Sequence, residues 1–114
     1  MYVVNNSQMK IKFKKEYYPL IRDGIKTQTL RKPNSRLDVR VGDVVLAVFP
    51  GIYDVVKIKI TMIGYKQFKS INGDDALLEG FDSIADLKND LLKIYPELND
   101  YNRLYYYRFE VVEW

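Results

Sequence analysis

Five stretches of the chain have residue patterns typical of β-strands: three alternate hydrophobic and polar residues with a period of two, and two are apolar or aromatic on both faces. The predicted strands cover residues 9–13, 27–31, 44–49, 55–68 and 104–112. The third is apolar on both faces, so we expect it inside a sheet. The fourth is the longest, and Gly64 predicts a bulge or kink within it. One face of this strand is predicted to carry Val56, Ile58, Ile60 and Met62.

Apolar residues at helical spacing predict three short helices, at residues 15–23, 72–80 and from Ser83 to the residue before Pro96. Gly24 follows the first helix in the position of a C-terminal cap. Ser83 and Asp86 resemble a capping box at the start of the third. Because strands and helices do not alternate, the predicted fold class is α+β. We expect a small, mostly antiparallel and partly closed β-barrel of five or six strands with about three short helices.

The chain has 114 residues, of which 47% are hydrophobic and 29% charged, so we predict one domain over residues 1–114. Residues 1–8 precede the first predicted strand and are expected to form a flexible N-terminal extension. They lack the basic start and long apolar run of a signal peptide. The longest apolar run, residues 44–49, is far too short to cross a bilayer. We therefore expect a cytoplasmic protein without membrane contact.

Cysteine and histidine are both absent from the sequence. Their absence excludes disulfides, cysteine nucleophiles and a histidine-based catalytic triad, and a zinc site would need carboxylates alone. We predict no metal and no cofactor. Any catalysis must use Lys, Asp, Glu, Ser, Thr, Tyr or backbone groups.

Positive charge is concentrated in the first half of the chain. Residues 1–60 carry 12 Lys and Arg against 5 Asp and Glu, whereas residues 61–114 carry 6 against 10. A basic half fits a polyanionic partner such as RNA, and no DNA specificity is predicted. The alternative is that the protein has no polyanionic partner and that its positive and negative surface regions balance in net charge. Lys10 and Lys12 would then be solvent-facing lysines of an edge strand. The aromatic run at residues 105–109 fits core packing or the stacking of a base.

Polar side chains crowd the junction between the first helix and the second strand. Such junctions are common positions for binding and catalysis. After Gly24 and Ile25 the chain reads Lys26, Thr27, Gln28, Thr29, Leu30 and Arg31.

Glu79 is out of place as a surface residue. It is predicted near the end of the second helix, just before Gly80. A carboxylate there is disfavoured by the helix macrodipole, which suggests a specific partner for it.

The segment 24–31 resembles the G-x-K-T-x-T-x-R signature of ASCH domains, which are small barrels similar to the PUA RNA-binding fold. Other segments resemble that family in the expected order. Val41–Val44 resembles its V-G-D entry into a strand, Leu78–Phe81 its E-G-F segment, and Tyr107–Val111 its closing strand. The resemblance covers residues 9–112 and implies a PUA-like barrel.

One ASCH branch of similar length and motif order is that of the bacterial N4-acetylcytidine amidohydrolases. Resemblance to this branch implies a catalytic set of Lys26, Thr29 and Glu79 that acts on an N4-acylated cytidine-type nucleoside. The arginine-bearing loop at residues 32–40 and the Gly80-Phe81 pair depart from that branch. Other ASCH proteins are suggested to bind or cleave RNA, so the family does not fix the activity.

The chemistry of this set places a demand on its geometry. Threonine can be a nucleophile if a neutral amine takes its proton, and a lysine is neutral only where burial or nearby positive charge disfavours the ammonium. Glu79 would oppose this, so it is better suited to carrying a proton to the leaving amine or to binding the base. In an unbroken strand residues 26 and 29 face opposite ways, so Lys26 must lie in the turn before the strand. Thr27 shares a face with Thr29 and stays an alternative hydroxyl.

Two main hypotheses use the same basic pocket. In an amidohydrolase, Thr29 would be the nucleophile, Lys26 the base and Glu79 the proton shuttle or base reader, while Arg31 would position an oxygen. An RNA-binding or RNA-cleaving module would use Thr27, Gln28, Lys10, Lys12, Arg31, Lys32, Arg36 and Arg40. A third hypothesis is a regulatory or phage-type interaction protein that has kept the fold and lost the chemistry. In a purely structural interpretation these residues are surface cations, strand residues and a salt bridge.

Overall fold

Five strands form a single sheet in the structure, a computed structural model that describes residues 9–112. The predicted extension at residues 1–8 lies outside the described residues. The strands are β1 (Lys10–Lys12), β2 (Gln28–Arg31), β3 (Val44–Val48), β4 (Val56–Gln67) and β5 (Arg103–Val111). Their order in the sheet is β1-β3-β4-β5-β2, with β1 and β3 parallel and every other pair antiparallel. All five predicted strands are confirmed, and β3 is internal as expected.

Three α-helices accompany the sheet: α1 (Tyr18–Arg22), α2 (Gly73–Leu78) and α3 (Ile84–Ile94). Short 3₁₀ turns occur at Lys15–Tyr17, Pro33–Ser35 and Phe68–Ser70. The predicted helices are confirmed, and the Ser83 hydroxyl accepts a hydrogen bond from the Asp86 N–H as the cap of α3. No helix within residues 9–112 is long and apolar enough to cross a membrane.

The sheet is not closed into a barrel, which corrects that part of the prediction. Its edge strands are β1 and β2, and no ladder joins them within the described residues. These two strands are only three and four residues long, so they offer little backbone for a closing ladder. A side-chain hydrogen bond links these two strands instead: Arg31 Nη2 of β2 donates to the Lys12 carbonyl of β1 at 2.9 Å.

A register shift in β4 lies between Ile60 and Met62, not at Gly64 as predicted. Because the shift changes which residues face the core, Met62 is 44% exposed and Ile63 packs against the core instead. Gly64 has a different role. A Cβ atom at this position would lie 2.4 Å from the Tyr106 ring, so only glycine fits beside that ring.

The hydrophobic core consists of two clusters. One joins β1, β3 and the first half of β4 with Ile21 of α1, and the other joins Leu30 of β2 and Leu104 of β5 with α2 and α3. The chain between Ile21 and Leu30 therefore passes from one cluster to the other. That segment contains three buried polar residues, Lys26, Gln28 and Thr29.

Candidate functional site

The turn between α1 and β2 holds Lys26 outside the strand. Gly24 follows the helix with a φ of +74°, the left-handed conformation that favours glycine, so its predicted capping role is confirmed. The N–H groups of Ile25 and Lys26 both donate to the carbonyl of Leu20, at 2.8 and 3.0 Å. Because β2 begins only at Gln28, Lys26 is free of the strand's alternation, as the proposed chemistry requires.

Lys26 and Glu79 form a buried ion pair. Lys26 Nζ donates to Glu79 Oε1 at 2.8 Å, and the two side chains are only 1% and 3% exposed. Glu79 is the residue that caps the C-terminus of α2. The Lys26 ammonium also lies 4.5 Å from the centroid of the Tyr17 ring, in the geometry of a cation–π contact. The position of Glu79 at a helix C-terminus predicts a specific partner for its carboxylate, and that partner is Lys26.

The second oxygen of Glu79 leaves an unused acceptor in the site. Oε2 is buried and accepts no hydrogen bond from any residue within the range 9–112. Burial raises the pKa of Glu79 above its usual value, and the positive charge of Lys26 together with the nearby Lys26 and Gln28 donors opposes that shift without cancelling it. The carboxyl is therefore easier to protonate than a surface glutamate.

Thr29 lies in the wall of a pocket of about 210 Å³. It shares one face of β2 with Arg31, and its side chain is 7% exposed. Tyr17 connects this pocket to the ion pair, because it lines the pocket and its ring contacts Lys26. The complete lining consists of Lys12, Phe13, Lys14, Tyr17, Thr29, Leu30, Arg31, Ile94 and Tyr95. Lys26, Glu79 and Thr27 lie outside that lining. The backbone of Thr27 is bonded to Leu78 and Phe109.

Gln28 belongs to a second buried polar cluster on the opposite face of β2. Its Nε2 donates to Asp75 Oδ1 at 3.1 Å, and its Oε1 accepts from Arg108 Nε at 2.9 Å. Asp75 Oδ2 accepts from Lys66 Nζ at 2.6 Å and from the Asn72 N–H at 3.0 Å. Burial raises the pKa of Asp75, but the hydrogen bonds from Lys66, Asn72 and Gln28 outweigh it and hold the pKa below its usual value. Both polar atoms of the Gln28 amide therefore have partners inside the protein.

Tyr17 is itself fixed by a carboxylate. Its hydroxyl donates to Asp90 Oδ2 of α3, and Lys14 Nζ lies 3.3 Å from Asp90 Oδ1. Burial raises the pKa of Tyr17, and the hydrogen bond to Asp90 raises it further. The phenol therefore keeps its proton at neutral pH and acts as a fixed wall of the pocket.

The predicted cations are divided between the pocket and other surfaces. Arg31 and Lys12 line the pocket, and Arg31 also stacks 5.3 Å from the Phe13 ring centroid. Lys32 lies just outside the lining, beside Tyr95, and is ion-paired with Glu97. The other three lie outside the lining: Lys10 is exposed on β1, Arg36 stacks near Tyr105, and Arg40 forms part of the turn before β3.

Sequence reasoning missed four residues of these buried networks. Tyr17, Asp75, Lys66 and Arg108 are not among the site residues that the sequence predicts. Asp75 lies four residues before Glu79, the spacing that places two residues on one helix face, and that was a usable signal. Lys66 and Arg108 had no such signal, because each is a charged residue of a strand whose partner is set by tertiary packing.

A larger cavity of about 650 Å³ lies elsewhere, between α1 and the end of β5. It is lined by Tyr18, Arg22, Tyr53, Asp54, Val55, Val56, Val111 and Val112. None of the predicted site residues lines it, so the smaller pocket is the candidate site.

Three solved structures show which fold this is. An ASCH domain from Lactobacillus crispatus JV V101 superposes with a TM-score of 0.73 and 19% identity, over 82% of this chain and 68% of that one. The chain has the ASCH-domain fold. EF3133 from Enterococcus faecalis V583, of family DUF984, shares this ASCH-like architecture with a TM-score of 0.65 and 17% identity, over 82% of this chain and 64% of its own.

The third structure, the hypothetical protein PH0355, superposes with a TM-score of 0.67 and 20% identity, over 92% of this chain and 99% of that one. No protein-family model and no curated protein sequence matches the chain. The ASCH fold thus rests on structural similarity, and the chain spans slightly less than two thirds of EF3133.

Proposed function

We propose that this ASCH-fold protein is an amidohydrolase that removes the acyl group from an N4-acylated cytidine-type nucleoside. The observation that supports this most is the buried Lys26–Glu79 pair, which is joined through the Tyr17 ring to the pocket that contains Thr29. A surface salt bridge would give little stability and no chemistry, whereas a buried acid and amine can exchange a proton at low energetic cost.

In the first step the Thr29 hydroxyl attacks the acyl carbon, and the bond from that carbon to the N4 atom breaks. The proton of the hydroxyl passes to Lys26 while the proton that Lys26 shared with Glu79 resides on the carboxyl. The raised pKa of Glu79 favours this arrangement, because protonating the carboxyl removes two buried charges. The pair then gives a proton to the leaving N4 amine.

In the second step water cleaves the acyl–Thr29 ester. Lys26 takes a proton from the water as its oxygen attacks, and Thr29 leaves with a proton, which restores the starting state. Glu79 does not line the pocket, so it acts on the substrate through Lys26.

The test is release of cytidine from N4-acetylcytidine, followed by chromatography. Thr29→Val keeps the shape of the side chain and removes the hydroxyl, so it should lower kcat by a factor on the order of 10³ or more. Thr27→Val is the matched control and should stay near the wild-type rate, because Thr27 lies outside the pocket lining. Wild-type activity in Thr29→Val, or no cytidine from folded wild type, would overturn the proposal.

RNA binding is the second candidate, and the exposed Lys10 and Lys12 of β1 favour it. A module of this kind should lose RNA affinity steeply as salt increases. It should tolerate Thr29→Val and fail when both lysines are changed to Gln. A hydrolase that acts on a free nucleoside should instead lose activity with Thr29→Val and keep it when both lysines are changed to Gln.

A further inference from the structure

The rim of the Thr29 pocket carries an excess of positive charge. Three of its nine lining residues are cations, namely Lys12, Lys14 and Arg31, and none of the nine is acidic. Lys14 is neutralised in part by Asp90, at 3.3 Å. Lys12 is exposed, and its side chain forms no ion pair or hydrogen bond within the described residues 9–112.

Charges just outside the lining do not remove this excess. Lys32, which lies 5.9 Å from the centroid of the Tyr95 ring, is paired with Glu97. Lys32 and Glu97 therefore cancel, as do Lys14 and Asp90. The charges of Lys12 and Arg31 remain, and exposed Glu16 beside Tyr17 offsets them only in part. Arg31 uses Nη2 on the Lys12 carbonyl, but a guanidinium has five N–H donors in a fork that suits phosphate oxygens.

The size of the pocket indicates which part of a substrate it encloses. Its volume of about 210 Å³ is below the range of roughly 300–1,000 Å³ of sites that enclose a whole drug-sized ligand. Thr29, Leu30 and Phe13 are buried in its wall, whereas Lys12 is exposed at its edge. An acylated base can enter, and the sugar with its substituents must stay at the mouth, beside the cations.

We propose that the rim formed by Lys12 and Arg31 binds a phosphate group, so that the substrate is an N4-acylated cytidine nucleotide and not the free nucleoside. This inference rests on the proposed function, because it assumes that the base enters the pocket that holds Thr29. It adds the second recognition element, an anion held outside the pocket. Charge-assisted hydrogen bonds from Lys and Arg to phosphate are among the strongest that side chains make.

The experiment is calorimetric titration of the wild-type protein with cytidine and with cytidine 5′-monophosphate, which lack the acyl group and bind without reaction. The nucleotide should bind at least about tenfold more tightly at low salt, and the difference should shrink as salt screens the rim. Lys12→Gln should lower affinity for the nucleotide severalfold and leave that for cytidine unchanged. Lys59→Gln, an exposed strand lysine away from the pocket, is the matched control and should change neither.

Equal affinities for cytidine and the nucleotide would overturn the phosphate site and leave the proposed hydrolase standing. Tighter nucleotide binding that Lys12→Gln does not weaken would overturn the assignment to this rim. If neither compound binds, the pocket does not take a cytosine base, and both proposals fail. A cytidine-containing dinucleotide separates the sources of the phosphate: tighter binding than the mononucleotide supports an RNA end, and equal or weaker binding supports a free nucleotide.

Discussion

Lys26 Nζ lies 2.8 Å from Glu79 Oε1 at a point where both side chains are almost completely shielded from water. The two residues are 53 positions apart in the sequence, so only the packing of α2 against the turn before β2 brings them together. Removing two charges from water costs several kcal/mol per ion, and their attraction often fails to repay this. A pair in this position is therefore a poor stabiliser and a good candidate for chemistry.

Breaking the pair on one side should destabilise the fold strongly. Lys26→Met leaves the Glu79 carboxylate buried without its cation, and we expect a loss of about 3–5 kcal/mol in the free energy of unfolding. The double variant Lys26→Met/Glu79→Leu should recover much of that loss, since it leaves no buried charge. Urea denaturation of the wild type, both single variants and the double variant measures this coupling. Strictly additive losses would show that the two side chains do not interact.

The stability of the protein should fall in acid because of Asp75. Its pKa is held below the usual value, so its contribution is complete above the unfolded pKa of about 3.9 and is lost as the pH falls through the folded pKa. Between pH 6 and pH 3 the wild type should lose more unfolding free energy than Asp75→Asn. Asp74→Asn, an exposed neighbour in the same helical turn, should keep the wild-type slope. If the free energy of unfolding fell equally with pH in the wild type and in Asp75→Asn, the predicted contribution of Asp75 would be contradicted.

Gly64 should tolerate no side chain. An alanine Cβ would lie 2.4 Å from the Tyr106 ring, and the resulting displacement should cost about 1–3 kcal/mol. The combination Gly64→Ala/Tyr106→Leu should recover part of the loss, because it removes the ring. Gly73→Ala is the control, since a Cβ there meets no atom within 4 Å. Thermal unfolding of the wild type and these three variants measures the effect. A Gly64→Ala protein with the wild-type unfolding temperature would refute the close contact.

The sequence predicted the elements well because each has a local signal. The apolar run of β3, the alternation of β4, the glycine after α1 and the serine before α3 each act within a few residues, and all four appear in the structure. The position of the shift in β4 had no such signal. A register shift depends on how β4 pairs with β5, so Met62 was assigned to the core and is exposed instead.

The candidate site was predictable only in part, for the same reason. Glu79 stood out because a carboxylate at a helix C-terminus conflicts with the macrodipole, and its partner Lys26 stood out through the resemblance to a known motif. Lys66 and Arg108 look like ordinary surface charges in sequence. Their burial around Gln28 follows from the way α2 packs against β2 and β5, which no local pattern encodes.

The most direct test of the account is the turnover of N4-acetylcytidine by Glu79→Gln, compared with the wild type and with Glu110→Gln, an exposed carboxylate of β5. If the buried pair moves the proton, kcat should fall by about 100-fold or more while KM changes little and Glu110→Gln stays at the wild-type rate. A rise in KM with kcat unchanged would assign Glu79 to base binding instead. A folded Glu79→Gln protein that releases cytidine at the wild-type rate would contradict the account, because Lys26 and Glu79 would then be structural alone.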